Sequence, residues 1–345
     1  MAVIFSKASG LANDFWNEWA DLLTMKMKDT DNEKNNDDEL VNALFNVKKS
    51  KRFGEKIAGM STFSNFDLVD EGASSPLDDF GEVEPKLIQH SEFKKAFRIT
   101  KTMIEDNQFD MAAARAAAYV RAYKRSRAVF ASSALTSAAA TFTYGAKTGL
   151  DSTTADGKAL FAKDHTGKTG VAAQSNVFTN ALGTDDAMLN KLANVGFNFM
   201  NASGNHMGYV FDTIILPANR PEMIVLAKKI ANSDQQVGSN FNDVNVNKGM
   251  WKLIVDHHWQ ADEESNPYII MSSQANKDLL GNVFYDRTAM ETFQNVDTMA
   301  PSLNMLYVCT AEDGSLYINN GTWDADTESA ISELNAVSYT HLRAH

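Results

Sequence analysis

The chain has 345 residues, 44% of them hydrophobic, a net charge of −12 and an isoelectric point near 5.1. This size allows one large domain or two to three smaller lobes around a sizeable core, whereas the acidity argues against general nucleic-acid binding, which needs clustered Lys and Arg. We expect no membrane segment and no secretory signal, because no apolar run approaches the ~18 residues of a membrane span. The single cysteine, Cys309, excludes an internal disulfide and a cysteine-based zinc site.

The N-terminal segment contains apolar residues at spacings of three and four, which predict an amphipathic helix over residues 9–28. Trp16 and Trp19 belong to this pattern. The large apolar surface of these two side chains must be covered by the protein core or by a partner. Residues 26–38 are polar and predict a solvated linker. A second short helix follows, with Asp37 or Asp38 as its expected N-cap.

Residues 81–107 are charged and rich in β-forming residues, and Phe93 and Phe97 alternate with polar neighbours. This pattern predicts an extended ribbon. Because its apolar content is thin and an isolated ribbon is marginal in water, we expect it to lie on a neighbouring subunit.

Residues 109–140 predict a long helix, because they are rich in Ala and lack Pro and Gly. One face is aromatic and the opposite face is basic: Tyr119, Tyr123 and Phe130 against Arg121, Lys124 and Arg125. The aromatic face is expected to be core. The basic face is either paired with acidic neighbours or in contact with nucleic acid.

The remaining chain predicts an α+β lobe, with residues 143–180 as a loop. Its expected elements are helices over 185–202 and 221–231, strands over 209–216, 251–256 and 268–271, and a hairpin over 305–319 that turns at Glu312, Asp313 and Gly314.

Candidate chemical groups are few. His206, His257 and His258 suggest a metal site, but adjacent residues of a strand point to opposite faces, so we expect no metal there. Asp164 and His165 suggest half of a catalytic dyad, yet no GxSxG motif and no phosphate-binding glycine loop accompany them. We therefore expect no catalytic residue, no cofactor and no enzymatic activity.

Three segments resemble the major head subunit of phage Mu-type prophages. The first is the strand-to-turn sequence over residues 97–109, where Asn107 replaces the usual second Asp. The second runs from Asp156-Gly157 through Phe161 to His165, and the third is the strand, helix and strand over residues 212–255.

The resemblance implies the Hong-Kong-97-type capsid fold, an α+β fold, and a major capsid protein of a tailed phage or prophage. The chain would form hexamers and pentamers of an icosahedral shell around DNA, with a possible scaffolding protein and portal. The virion, assembled in the host cytoplasm, would be its location. Trp16, Trp19, Phe93 and Phe97 would be interface anchors, and Arg121, Lys124 and Arg125 would face DNA.

The same resemblance implies a division of the chain. The expected parts are an N-terminal arm (1–60), an extended segment with the E-loop (61–108), a spine helix (109–150), an axial-type domain (151–284), return strands (285–336) and a non-native tail (337–345). The last nine residues, VSYTHLRAH, resemble translated adapter sequence. Alternatives are an encapsulin-like compartment shell, a tail structural protein and, less in keeping with the residues, a metal-dependent hydrolase.

Overall fold

The computed structural model describes most of the chain up to residue 319. The described residues are 10–57, 66–77, 86–95, 97–98, 106, 108–137, 139–165, 173–178, 182, 187–199, 206, 208–238, 243–261, 266–277, 282–286, 291–295, 298–307 and 316–319. Among them, no helix has both the length and the apolar character that crossing a bilayer requires.

Six helices are described: α1 Gly10–Asn32, α2 Asn36–Leu44, α3 Phe109–Leu135, α4 Ala187–Asn198, α5 Pro221–Asn232 and α6 Ser273–Lys277. The prediction of a linker over residues 26–38 is wrong except for residues 33–35, because α1 continues to Asn32 and α2 begins at Asn36. Met27 and Leu23, one helical turn apart, are fully buried against α3 and extend the helix. The N-cap of α2 is Asn35, whose side chain accepts a hydrogen bond from Asp37 N.

The long helix α3 is confirmed, although it ends at Leu135 rather than near residue 140. It is covered on several sides. Leu40, Val41 and Leu44 of α2 share one hydrophobic cluster with its second half, and α1 packs along its first half.

A six-stranded sheet contains the strands β1 Asn46–Lys49, β4 Ser91–Lys94, β5 Phe97–Arg98, β12 Val283–Asp286, β13 Glu291–Asn295 and β14 Thr298–Tyr307. Its order is β1–β12–β14–β13, with β14 at the centre and β4 and β5 also paired to β14. β1 is parallel to β12, and the partners of β14 are all antiparallel to it. Residues 91–94 and 97–98 therefore find strand partners in their own chain, contrary to the expectation of an unsupported ribbon.

A five-stranded sheet has the order β10–β9–β11–β15–β8. Its strands are β8 Val177–Phe178, β9 Thr213–Pro217, β10 Lys252–Asp256, β11 Tyr268–Met271 and β15 Leu316–Asn319. Both faces are buried: Ile215 and Ile269 join the cluster beneath α3, whereas Ile214 and Ile270 join a second cluster beneath α5. This two-sided burial explains the continuous apolar run of β9.

Two further strand pairs stand outside these sheets: β2 Gly54–Ile57 with β3 Lys86–Gln89, and β6 Thr141–Tyr144 with β7 Lys147–Asp151. The second pair is a hairpin inside the region expected to be a loop, and Gly145 at its turn has φ +58°. The predicted hairpin over 305–319 is wrong, because β14 and β15 belong to different sheets. Its expected turn and Cys309 lie outside the described residues.

Candidate functional site

The segment between β2 and β3 carries large apolar side chains in full contact with solvent. Phe66 and Leu68 are each 104% exposed and Leu77 is 98% exposed. Ala73 N donates to Asp70 O at 3.0 Å, so the chain turns between them. Exposed apolar patches are typical of surfaces that contact another molecule, so residues 66–77 are a candidate contact surface.

The base of this segment is fixed to the body of the protein. The ammonium of Lys86 in β3 lies 2.9 Å from Thr153 Oγ1 and 3.2 Å from an oxygen of Asp151. Ser50, buried after β1, donates to Glu55 Oε1 in β2 at 2.7 Å. The β2–β3 pair is thus anchored at its base while residues 66–77 present their apolar side chains.

Two predicted interface anchors pack against aromatic rings of their own chain. The centroid of the Phe93 ring lies 5.2 Å from that of Phe130 and 5.4 Å from that of Tyr144, both edge to face. Phe97 lies 5.3 Å from Tyr119. Part of their apolar surface is therefore covered inside the subunit. A role for either residue between subunits stays a prediction.

Trp16 and Trp19 lie in α1, and their side chains fall outside the described part of the structure. Their role as interface anchors stays a prediction.

Lys124 is buried, with 3% of its side chain exposed, and the prediction that it faces DNA is wrong. Its ammonium donates to Asp31 O at 2.6 Å and Glu33 O at 3.0 Å, and lies 3.0 Å from Asp38 Oδ2. The face opposite the aromatic residues is covered because the end of α1 and the start of α2 pack there. Lys124 thereby donates hydrogen bonds to carbonyl groups at the C-terminal end of α1.

Arg121 and Arg125, in contrast, are exposed. A terminal nitrogen of Arg121 lies 3.7 Å from Glu33 Oε2. Such an exposed ion pair contributes little to folding stability. Contact of these two arginines with nucleic acid stays a prediction.

Arg127 is the central cation of a network that the sequence analysis missed. Its guanidinium bonds both oxygens of Asp286, at 2.8 and 3.2 Å, and lies 3.4 Å from Asp38 Oδ1. Its Cζ lies 5.1 Å from the centroid of the Phe284 ring. Burial raises the pKa of Asp286 although the charge of Arg127 opposes that effect. The network joins α2, α3 and β12. In the sequence, the one sign of it was a basic residue one helical turn after Lys124.

The suspected dyad of Asp164 and His165 does not form. His165 is buried, and its Nδ1 lies 2.9 Å from Asp156 Oδ2 instead. Asp164 pairs with Lys158 at the surface. Burial favours a higher pKa for Asp156, but the hydrogen bond and charge of His165 outweigh it and lower that pKa. The motif that begins at Asp156 is thus a buried structural pair.

His257 and His258 converge on one carboxylate, which contradicts the expectation that they point apart. Both Nε2 atoms lie close to Asp37 Oδ1, at 2.7 and 2.8 Å respectively. Burial favours a higher pKa for Asp37, but hydrogen bonds from the two imidazoles outweigh it and lower that pKa. The exposed His206 is not part of this group.

The convergence follows from where β10 ends. Asp256 is its last residue, and its Oδ1 accepts hydrogen bonds from His258 N at 2.8 Å and Trp259 N at 3.2 Å. This turn ends the strand before His257, so alternation between the two faces of a sheet no longer applies.

Two solved capsid structures match the architecture. The capsid of the native GTA particle aligns with a TM-score of 0.51 and 10% sequence identity, over 84% of this chain and 92% of that chain. The capsid of the empty GTA particle aligns with a TM-score of 0.50 and 8% identity, over the same shares. This chain has the Hong-Kong-97-type capsid fold.

At such low identity the likeness to these capsid-fold structures concerns the fold. A structure from Mycobacterium phage Patience covers 94% of this chain and 92% of its own at 12% identity, and its TM-score of 0.46 adds no argument. No protein-family model and no curated protein sequence matches the chain. The α+β prediction is confirmed, and the resemblance to the Mu-type subfamily stays a prediction.

Proposed function

We propose that this protein is the major capsid subunit of a tailed bacteriophage or prophage and builds an icosahedral shell that encloses DNA. The observation that carries the proposal is the apolar surface of residues 66–77 on a protein with the capsid fold. Within the described part of the chain, Phe66, Leu68 and Leu77 are almost fully exposed, and repeated contacts between copies bury such side chains in a closed shell.

The role is structural rather than enzymatic. Among the described residues, the polar pairs that resemble catalytic groups are used to hold the fold: Asp156 with His165, and Arg127 with Asp286. The net charge of −12 fits a shell that binds the enclosed DNA only weakly. The exposed Arg121 and Arg125 are the local candidates for contact with that DNA.

The expected division of the chain is kept in the proposal with one refinement. Residues 40–47 contribute Leu40, Val41, Leu44 and Phe45 to the main core, so the proposed N-terminal arm ends before α2, and the C-terminal half of α1 packs on α3 through Leu23 and Met27. The partners are further copies of the chain in hexamers and pentamers, with a scaffolding protein and a portal. The location is the virion, assembled in the host cytoplasm.

Negative-stain electron microscopy of the expressed full-length protein tests the proposal. We expect closed shells, or hexamers and pentamers. A monodisperse monomer or small ring, both alone and after coexpression with the neighbouring genes, would contradict it. Nuclease-resistant DNA inside the shells separates a phage head from an encapsulin-like compartment, which would enclose protein.

A further inference from the structure

We propose that Asp37, His257 and His258 form a binding site for one divalent transition-metal ion of the Zn²⁺ class, which clips α2 to the turn after β10. This site goes beyond the proposed shell-building function. Within the described residues, these three offer one ligand atom each, and the three atoms lie within 4.8 Å of one another.

The distances suit an ion after a small adjustment. Around a tetrahedral Zn²⁺ with bonds of about 2.0–2.1 Å, neighbouring ligand atoms lie about 3.3 Å apart. The two imidazole nitrogens lie 2.7 and 2.8 Å from Asp37 Oδ1 and must therefore move outward by about half an ångström. The side chain of His257 is 42% exposed, and its ring contacts that of His258 at 4.1 Å between centroids, so its solvent-facing edge leaves room for this movement.

The ligand chemistry selects the class of ion. Two imidazole nitrogens and one carboxylate oxygen are the donors of zinc sites that keep a position for water, whereas Ca²⁺ and Mg²⁺ prefer oxygen alone. The exposed edge of His257 gives the ion a path from solvent, and water fills the remaining position. An ion held in this way neutralises the carboxylate and replaces two hydrogen bonds with metal bonds.

The surrounding structure holds the ligands in place before any ion arrives. Asp256 is fully buried and fixes the turn that carries both histidines. On the other side, Asn35 Oδ1 accepts from Asp37 N at 3.0 Å, and Asp38 is held by Lys124 and Arg127. Such outer partners orient ligands and raise metal affinity.

A bound ion at this position would also raise the free energy of unfolding. Asp37 and His257 are 220 residues apart in the chain, and a cross-link that closes a long loop removes entropy from the unfolded state. The bound ion would hold the N-terminal helices onto the five-stranded sheet. The alternative is a purely hydrogen-bonded group of Asp37 with two histidines, and the experiment below distinguishes the two.

Calorimetric titration of Zn²⁺ into the full-length chain tests the site. His341→Ala and His345→Ala are introduced in every sample, so that tail histidines contribute no binding. We expect saturable binding of one ion per chain in this background. His257→Ala and His258→Ala should each weaken binding by about 100-fold or more, since loss of an outer partner alone costs 10–100-fold.

His206→Ala is the matched control, because His206 is exposed and is not one of the three clustered ligands. We expect it to bind Zn²⁺ as the background does. Binding of the ion to the folded state should raise the thermal midpoint of the background and of His206→Ala, but not of His257→Ala. The exposed position of His257 favours a folded variant, which circular dichroism checks.

Co²⁺ provides a second readout, since its visible absorption reports nitrogen and oxygen coordination directly. Bands that appear in the background and in His206→Ala but are lost in Asp37→Asn would support the site. The proposal is overturned if the background shows no saturable Zn²⁺ binding, or if the double variant His257→Ala/His258→Ala binds as tightly. Neither result depends on whether shells form.

Discussion

The hydroxyl of Ser132 in α3 donates a 2.6 Å hydrogen bond to Asp256 Oδ2 at the end of β10. Both residues are buried, and the other carboxylate oxygen accepts two backbone N–H groups of the following turn. One buried carboxylate thus joins the long helix to the five-stranded sheet and sets the direction of His257 and His258.

Ser132→Ala should lower the free energy of unfolding by about 1–3 kcal/mol, because it leaves a buried carboxylate oxygen without its donor. Urea unfolding measures the change. Ser126→Ala is the matched control in the same helix, since its hydroxyl donates to Ala122 O of that helix. Equal effects of the two substitutions would contradict a special role for the contact with Asp256.

Arg127→Met should be more damaging than loss of a surface arginine. The change removes the bidentate partner of Asp286, whose side chain is only 20% exposed, and breaking a buried ion pair costs up to about 3–5 kcal/mol. Arg125→Met, two residues earlier and exposed, should change the free energy of unfolding by less than about 0.5 kcal/mol. Similar unfolding midpoints for the two variants would show that the network contributes nothing to stability.

Asp156→Asn should reduce stability at neutral pH and weaken its dependence on acid. Because the folded-state pKa of Asp156 lies below its usual 3.8, its contribution is present above about pH 4 and is lost as the pH falls through the folded-state pKa. We expect a loss of about 1–3 kcal/mol at pH 7. The difference from the unmodified chain should shrink as the pH is lowered below about 4.

Thermal melts at several pH values measure this difference. Asp164→Asn is the control, because its carboxylate pairs with Lys158 at the surface and 59% of its side chain is exposed. A pH dependence equally altered in both variants would contradict the assignment to the buried pair.

The triple change Phe66→Ser, Leu68→Ser and Leu77→Ser should abolish or strongly reduce shell formation and leave the subunit folded. These side chains are exposed within the subunit, so their loss should change its unfolding free energy by less than about 0.5 kcal/mol each. Sedimentation and electron microscopy measure assembly. Val225→Ser, on the exposed side of α5, is the control and should assemble normally. Normal shells from the triple variant would argue against this surface as a subunit contact.

Local pattern predicted several elements well. Helices α1 and α3 lie near the positions that amphipathic spacing and Ala-rich composition predicted. Strands β9, β10 and β11 lie near the predicted apolar runs. These features depend on residues close together in the chain, and periodicity and propensity report them directly. The capsid fold entered through a resemblance in three segments, and the structural likeness confirmed it.

Partner choice between distant segments was not predictable. Lys124 looked like an exposed cation, because a single helix gives no sign that two others cover its polar face. Residues 305–319 looked like a hairpin, but β14 pairs with β4 and β12 whereas β15 pairs with β11. Strand pairing is decided by packing across the whole domain, so a turn sequence between two strands does not ensure that they are neighbours.

The sequence by itself determined the helices, the buried strands and the acidic balance of the chain. The tertiary structure alone decided that Arg127 meets Asp286 and that two histidines meet Asp37 from 220 residues away. The physical reason is that helix and strand formation follow from local backbone preference and periodic burial, whereas ion pairs and ligand clusters require the folded core to bring remote segments within about 3–4 Å.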